Sequence, residues 1–269
     1  YLGNALEVAN LYPFYYAKAF YDGMKSVGED DFAFLIRAAW HGSQRFRTIV
    51  WSGDIPSTFD SLRRQIKAGL NMGLCGITFW TTDIGGFWGG DPKDPEFQEL
   101  IVRWFQYGCF CPIFRLHGFR LPYPENFEKD PDPYKLTGGP NEVWSFGDRA
   151  YEILKKYLFI REKIKPYILE EMRKCCQEGV PLMRPLFFDF PEDPTTYEVE
   201  DEYMFGSDIL VAPVYEKGAK SRKVYLPKGT KWIDAWDKSV FEGGQWIERE
   251  TPLEIIPVFI REGSKVSIV

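Results

Sequence analysis

Two aspartates carry the chemistry that this sequence suggests. Asp54 closes Trp51-Ser52-Gly53-Asp54, and Asp83 opens Asp83-Ile84-Gly85-Gly86; each follows a short apolar, strand-like stretch. A carboxyl just past a strand end, framed by Trp and Gly, is how α/β barrels commonly present an acid to a sugar-sized pocket. Cleavage of a glycosidic bond takes a proton delivered to the leaving oxygen and a second carboxylate that meets the developing oxocarbenium ion. The acid has to keep its proton near neutral pH, so burial or a like charge must raise its pKa. Trp51 and Gly53 offer Asp54 an apolar wall and backbone clearance. From local sequence alone, the simpler reading is that Asp54 caps the next helix or supports the turn.

Asp83 has two readings of equal standing: a hydrogen-bond partner for sugar hydroxyls that also shapes the site, or a turn aspartate ahead of two glycines. Arg37 is expected inside an apolar strand, where its charge needs a carboxylate or ligand at the strand end, or a structural ion pair. His117, two residues past Arg115, ends another apolar run and suits ligand contact or a satisfied core position. Trp51, Trp80 and Phe87 are candidate pocket walls, although such rings more often belong to a core. Other chemistries lack their patterns: there is no phosphate-binding GxxxxGK[ST], no GxGxxG after a strand, no GxSxG and no HExxH. With 2 histidines in the chain, a His-rich metal site is excluded.

These groups need strands and helices to hold them. Residues 5–27 read as a helix apolar nearly all round, broken or kinked at Pro13. Strands are expected at Phe32–Trp40, Thr48–Trp51, Gly76–Trp80 and Pro112–Leu116. Between the second and third, Leu62, Ile66 and Leu70 line one face of a helix that Ser57 or Asp60 caps. Asp94 and Pro95 start another helix as cap and first-turn proline, with Phe97, Leu100, Ile101, Trp104 and Phe105 on its inner face. A Pro- and Asp-rich loop spans about 121–142. Phe146–Gly179 is a long helical segment with Tyr151, Leu154, Leu158 and Ile164 inward, kinked or restarted at Pro166. Past Gly179, short apolar runs alternate with Gly, Pro, Asp and Lys turns, as in an all-β unit. The expected organisation is therefore 1–182 as α/β and 183–269 as all-β. Four strand-and-helix alternations make half of an eightfold barrel, which would leave open edges. Either the other half precedes Tyr1, or the fold is a smaller doubly wound sheet.

Bulk composition narrows the function classes. The chain has 269 residues and a formal net charge of -6, so there is no electrostatic case for nucleic acid or an anionic membrane. No apolar run is long enough to span a bilayer. The 5 cysteines form no framework or zinc-ligand spacing, which favours inert thiols and leans towards a reducing, cytoplasmic compartment. The first residue is Tyr1, with no initiating Met and no signal-like segment, which suggests a piece of a longer protein.

Four blocks in order, IRAAWHGSQRF, WSGDIPSTFDSLRRQIKAGLNMGLCGITFWTTDIGGF, RWFQYGCFCPIFRLHG and YMFGSDILVAPV, resemble glycoside hydrolase family 31. That family holds retaining α-glucosidases, α-xylosidases and relatives, and the resemblance runs through nearly the whole chain. It implies the C-terminal half of a (β/α)8 TIM barrel followed by a small all-β sandwich domain. It implies Asp54 as general acid/base. Arg37 and His117 would contact the sugar in the −1 subsite, with Trp51, Trp80 and Phe87 nearby and Asp83 shaping the site. WTTDIGGF with RLHG is closer to the α-xylosidase members. The family's nucleophilic aspartate precedes the acid/base by more residues than stand ahead of Asp54. Neither Glu7, Asp22, Glu29, Asp30 nor Asp31 sits in a matching motif, so the nucleophile is expected upstream of Tyr1.

The implied reaction is double displacement with retention, which requires no metal or organic cofactor. The implied partners are an α-glycoside or small oligosaccharide and the remainder of the same polypeptide; a homo-oligomer is compatible with the sequence. A reading from another class stands beside it: a non-catalytic carbohydrate-binding or structural module, favoured by the missing nucleophile.

Overall fold

A computed structural model describes residues 3–123 and 138–269; the central part of the expected Pro- and Asp-rich loop lies outside the described residues. Three parallel strands form the α/β part: β1 (Phe34–Ile36), β2 (Thr48–Trp51) and β3 (Trp80–Thr81). Their order is β1-β2-β3, with Ile36 opposite Val50 and Val50 opposite Trp80. The expected fourth strand is not a full ladder. Pro112 has no N–H to contribute, and this segment joins through the Ile113 N–H to Trp80 O and parallel bridges Ile84–Leu116 and Trp88–Phe119.

Ahead of the sheet the expected single helix is two, α1 (Ala5–Val8) and α2 (Leu11–Ser26). Pro13 falls in the first turn of α2, where its missing N–H costs no intrahelical bond. The apolar outer side of α2 stays open: Tyr12, Tyr15, Tyr16 and Phe20 are exposed, and Ala17 is its buried residue. β1 is an edge strand in the described sheet, with Leu35 also exposed.

α3 (Phe59–Leu74) crosses from β2 to β3 and buries Leu62, Ile66 and Leu70 as the spacing predicts. Its cap is neither Ser57 nor Asp60. Thr58, with extended backbone, accepts the Ser61 N–H at 3.1 Å, while Asp60 pairs with Arg64 at 2.9 Å. α4 (Pro95–Cys109) is capped by Asp94 with Pro95 at its start, as expected, and is buried continuously from Leu100 to Cys109. α5 (Asp148–Glu178) runs through Pro166 as one helix. Its inner face keeps Leu154 and Ile164, whereas Leu158 is exposed and Tyr151 half-buried. Ile153, Tyr157 and Ile160 complete that face instead.

The C-terminal part is built on a six-stranded sheet. Its strands are β4 (Met183–Pro185), β5 (Tyr203–Phe205), β6 (Ile209–Val211), β8 (Lys231–Asp234), β9 (Val240–Glu242) and β11 (Val258–Arg261), in the order β4-β5-β6-β11-β8-β9. A second, two-stranded sheet pairs β7 (Ser221–Leu226) with β10 (Gln245–Glu250). A short helix, α6 (Leu186–Asp189), follows β4. Alternation along the central strands sends side chains to two cores. Tyr203, Phe205, Ile209, Val211, Val258 and Ile260 join one cluster with α3, α4 and α5. Met204, Leu210, Phe259 and Trp232 pack with Val224 and Leu226 of β7. Burial on both faces is why these strands read as unbroken apolar runs. Arg103 of α4 is buried and donates to the carbonyls of Thr251 at 2.7 Å and Ile255 at 3.0 Å, joining the two parts.

Candidate active site

The C-terminal ends of the parallel strands bring most of the candidate residues together. Arg37 is the first residue beyond β1, which ends at Ile36, so its charge is not inside the strand as expected. Its side chain is 64% exposed and Nη2 stands 3.0 Å from Oδ2 of Asp54, whose side chain is 28% exposed. The predicted carboxylate partner of Arg37 is thus Asp54. Gly53, at φ +80, bends the chain between β2 and Asp54 in a conformation that disfavours any residue with a Cβ.

Asp83 occupies the equivalent position beyond β3, but it is fully buried. Oδ1 accepts from Nη1 of Arg115, and Oδ2 is a buried atom without a hydrogen-bond partner. Burial pushes the Asp83 carboxyl up to about 6; Arg115 opposes the shift, and the Asp54 charge adds to it. The burial expected of Asp54 therefore belongs to Asp83. Enclosed and engaged by Arg115, Asp83 is in no position to attack an anomeric carbon. Its suited role is to fix the turn and, through Arg115, the neighbouring indole: that guanidinium carbon lies 5.8 Å from the ring centre of half-buried Trp51.

His117 is exposed and its ring centre is 5.6 Å from that of Phe87. Partial burial holds the imidazole pKa below its ordinary value, with Arg115 and Arg120 pushing the same way. A neutral imidazole at neutral pH can both donate and accept, which suits a sugar hydroxyl. Phe87 is half-buried and presents an apolar ring beside it. Trp80 does not join this group. It is buried in the main core, with Nε1 only 2.7 Å from where a Cβ on Gly69 of α3 would lie. The residue that opens β3 points at the helix behind the sheet, so it is framework for the turn that carries Asp83.

Two arginines were not foreseen in these roles. Arg115 entered the sequence reading as a neighbour of His117, and its pairing with Asp83, across adjacent strand-end turns, has no local signature. Arg120, fully buried three residues past His117, gave no signal as a surface-loop arginine. Among the described residues no group of three or more His, Cys, Asp and Glu could hold a metal ion. No described helix is long and apolar enough to cross a membrane.

The chain has counterparts among known proteins. Residues 3–171 match the glycosyl hydrolases family 31 TIM-barrel domain, and 179–266 match the family 31 C-terminal domain. The chain belongs to glycosyl hydrolase family 31. It is 37% identical over 263 residues to the α-xylosidase of Saccharolobus solfataricus, covering 98% of this chain and 34% of that protein. Identity to α-glucosidase 2 of Bacillus thermoamyloliquefaciens is 35% over 266 residues, covering 97% of this chain and 30% of the relative. Among solved structures, a family 31 α-xylosidase from a soil metagenome, complexed with xylose, superposes with a TM-score of 0.93 at 54% identity, covering 98% of this chain and 40% of that one. An α-xylosidase from Xanthomonas citri gives 0.86 at 39% identity, covering 98% of this chain and 28% of that one. The chain thus spans about a third of the length of the curated relatives it matches.

Proposed function

We propose that the protein containing this chain is a retaining α-glycoside hydrolase that removes terminal non-reducing sugars, with α-xylosides as its substrates. The observation that carries the reading is the Arg37–Asp54 pair: a reachable carboxyl at a barrel strand end, oriented by a guanidinium, within a chain 54% identical to an α-xylosidase complexed with xylose. Asp54 protonates the departing oxygen, then deprotonates the water that releases the sugar. The nucleophile is an aspartate on polypeptide outside this chain. Arg37 and His117 bind the sugar in the −1 subsite, Trp51 and Phe87 wall it, and Asp83 with Arg115 shapes it. Residues 1–182 act as barrel and 183–269 as the β domain. Barrel strands on polypeptide outside this chain pair with the edge of β1 that has no partner among the described residues, and cover the apolar side of α2. The 35% identity to an α-glucosidase favours α-glucosides as the second reading.

The test uses the full-length protein. Wild type should release xylose from α-xylosides with the α configuration retained, seen by NMR of the first-formed product. Asp54→Ala should lower turnover of natural α-xylosides by about 10²–10⁴-fold. An aryl glycoside with a good leaving group should suffer less in the first step. Unchanged turnover of both would reject the role of Asp54. Binding of xylose-bearing oligosaccharides without hydrolysis by wild type would support a non-catalytic module instead.

A further inference from the structure

Arg120 is fully buried, and its guanidinium gathers main-chain and side-chain acceptors from several loops. Nη2 donates to Ile84 O at 2.9 Å and to His117 O at 3.3 Å. Nη1 donates to Gly86 O at 2.8 Å, Gly89 O at 3.3 Å and Gly85 O at 3.4 Å, and to Ser57 Oγ at 3.1 Å. Nε donates to Asn141 Oδ1 at 2.6 Å, and the ring centre of Phe97 lies 4.9 Å from the guanidinium carbon.

Apart from Asn141, the partners belong to three different strand-end loops. Ser57 lies three residues past Asp54, the turn of residues 84–89 begins at the residue after Asp83, and His117 contributes its own carbonyl. A planar guanidinium has five N–H donors in a fixed fork, a shape that can satisfy inward-turned carbonyls from several directions at once. The chain is built to receive it. A Cβ at Gly118 would fall 2.4 Å from the Arg120 guanidinium, and one at Gly85 would fall 2.8 Å from Nη2.

We propose that Arg120 is a positioning residue: it holds the loops bearing Asp54, Asp83 and His117 in fixed relation, and so sets the alignment needed for catalysis. This rests on the glycosidase reading above. The competing account is a stabilising core arginine like Arg103, whose carbonyl partners at Thr251, Pro252 and Ile255 lie in the C-terminal part. Misplacement of a catalytic group by about 1 Å costs roughly 10²-fold in rate, so the two accounts separate in kcat.

The experiment compares four full-length proteins: wild type, Arg120→Lys, the double variant Ser57→Ala with Asn141→Ala, and Arg103→Lys. Each is assayed on an aryl α-xyloside and an aryl α-glucoside, with Tm measured alongside. Lysine keeps the charge and loses the fork. Arg120→Lys should lose at least about 30-fold in kcat per folded molecule, the double variant about 3- to 10-fold, each with KM moved less than threefold. Arg103→Lys should lower Tm and leave kcat within twofold. Unchanged kcat in Arg120→Lys, or a loss confined to KM or Tm, overturns the proposal; if that variant does not fold, the double variant decides by the same criteria. A wild type inactive on both glycosides would instead sink the functional reading, and this proposal with it.

Discussion

Arg37 Nη2 and Asp54 Oδ2 meet at 3.0 Å across the C-terminal ends of two adjacent parallel strands, 17 residues apart in sequence. Both side chains remain in reach of solvent. The pair therefore contributes little to stability.

Replacing Arg37 by Met should accordingly separate the two roles. An exposed ion pair is worth less than about 1 kcal/mol, so unfolding free energy should shift by no more than that. Catalytic efficiency on α-xylosides should drop by about 10²-fold, because both the acid and the sugar lose an oriented cation. Urea titration and kcat/KM check the two numbers; a large stability loss with intact activity would reverse the assignment.

Asp83 makes a pH-dependent prediction. Its folded-state pKa, raised to about 6 from 3.8, means the folded protein holds a proton there that the unfolded chain releases. That stabilisation is fully present below about pH 4 and is lost as pH rises through 6. The shift of about two units corresponds to at most ~3 kcal/mol. Asp83→Asn, which stays neutral, should therefore gain on wild type between pH 4 and 7 in thermal or denaturant unfolding. A gain in the opposite direction would mean that the Arg115 ion pair outweighs burial.

Gly86 sets how closely the turn beyond β3 approaches the loop beyond β2. It adopts φ +78, and an added Cβ would lie 2.6 Å from Ser57 Cα and 2.7 Å from Pro56 O. Those contacts are backbone, which cannot swing aside. Gly86→Ala should cost at least about 1 kcal/mol of stability and depress kcat as well, because the two loops carrying the carboxyls are forced apart. Differential scanning calorimetry with a standard aryl-glycoside assay tests both parts.

Trp80 and Phe87 should behave differently despite their shared aromatic character. Trp80→Ala empties part of the core and should destabilise by about 3–5 kcal/mol, with KM of the folded enzyme little changed. Phe87→Ala should leave Tm nearly constant and raise KM by roughly three- to tenfold. Equal effects on KM would place both rings against the sugar.

Much of this was legible beforehand because the signals were local. The spacing of Leu62, Ile66 and Leu70 and the Asp94-Pro95 start of α4 each determine a nearby structure. That Arg37 needs a carboxylate was legible from its charge among apolar neighbours, although it stands just past β1 rather than inside it; the partner is Asp54. What escaped reading depended on contacts distant in sequence. Trp80 looked like a pocket wall because a strand residue shows one of two faces, and the choice depends on α3 passing behind it. The buried carboxyl proved to be Asp83, since burial at one of two similar turns is decided by what packs above it. Arg120 was invisible because most of its partners are main-chain carbonyls, which every sequence possesses, and its two side-chain partners, Ser57 and Asn141, are distant in sequence.

The cluster shared by α3–α5 and the large sheet bears on how this chain comes apart. Tyr203 donates its hydroxyl to Phe110 O at 2.9 Å, and the apolar side chains around it come from both parts. A protease nicking the backbone near Gly179 would liberate no self-sufficient half. The severed pieces would stay clasped, or lose their order in a single cooperative event.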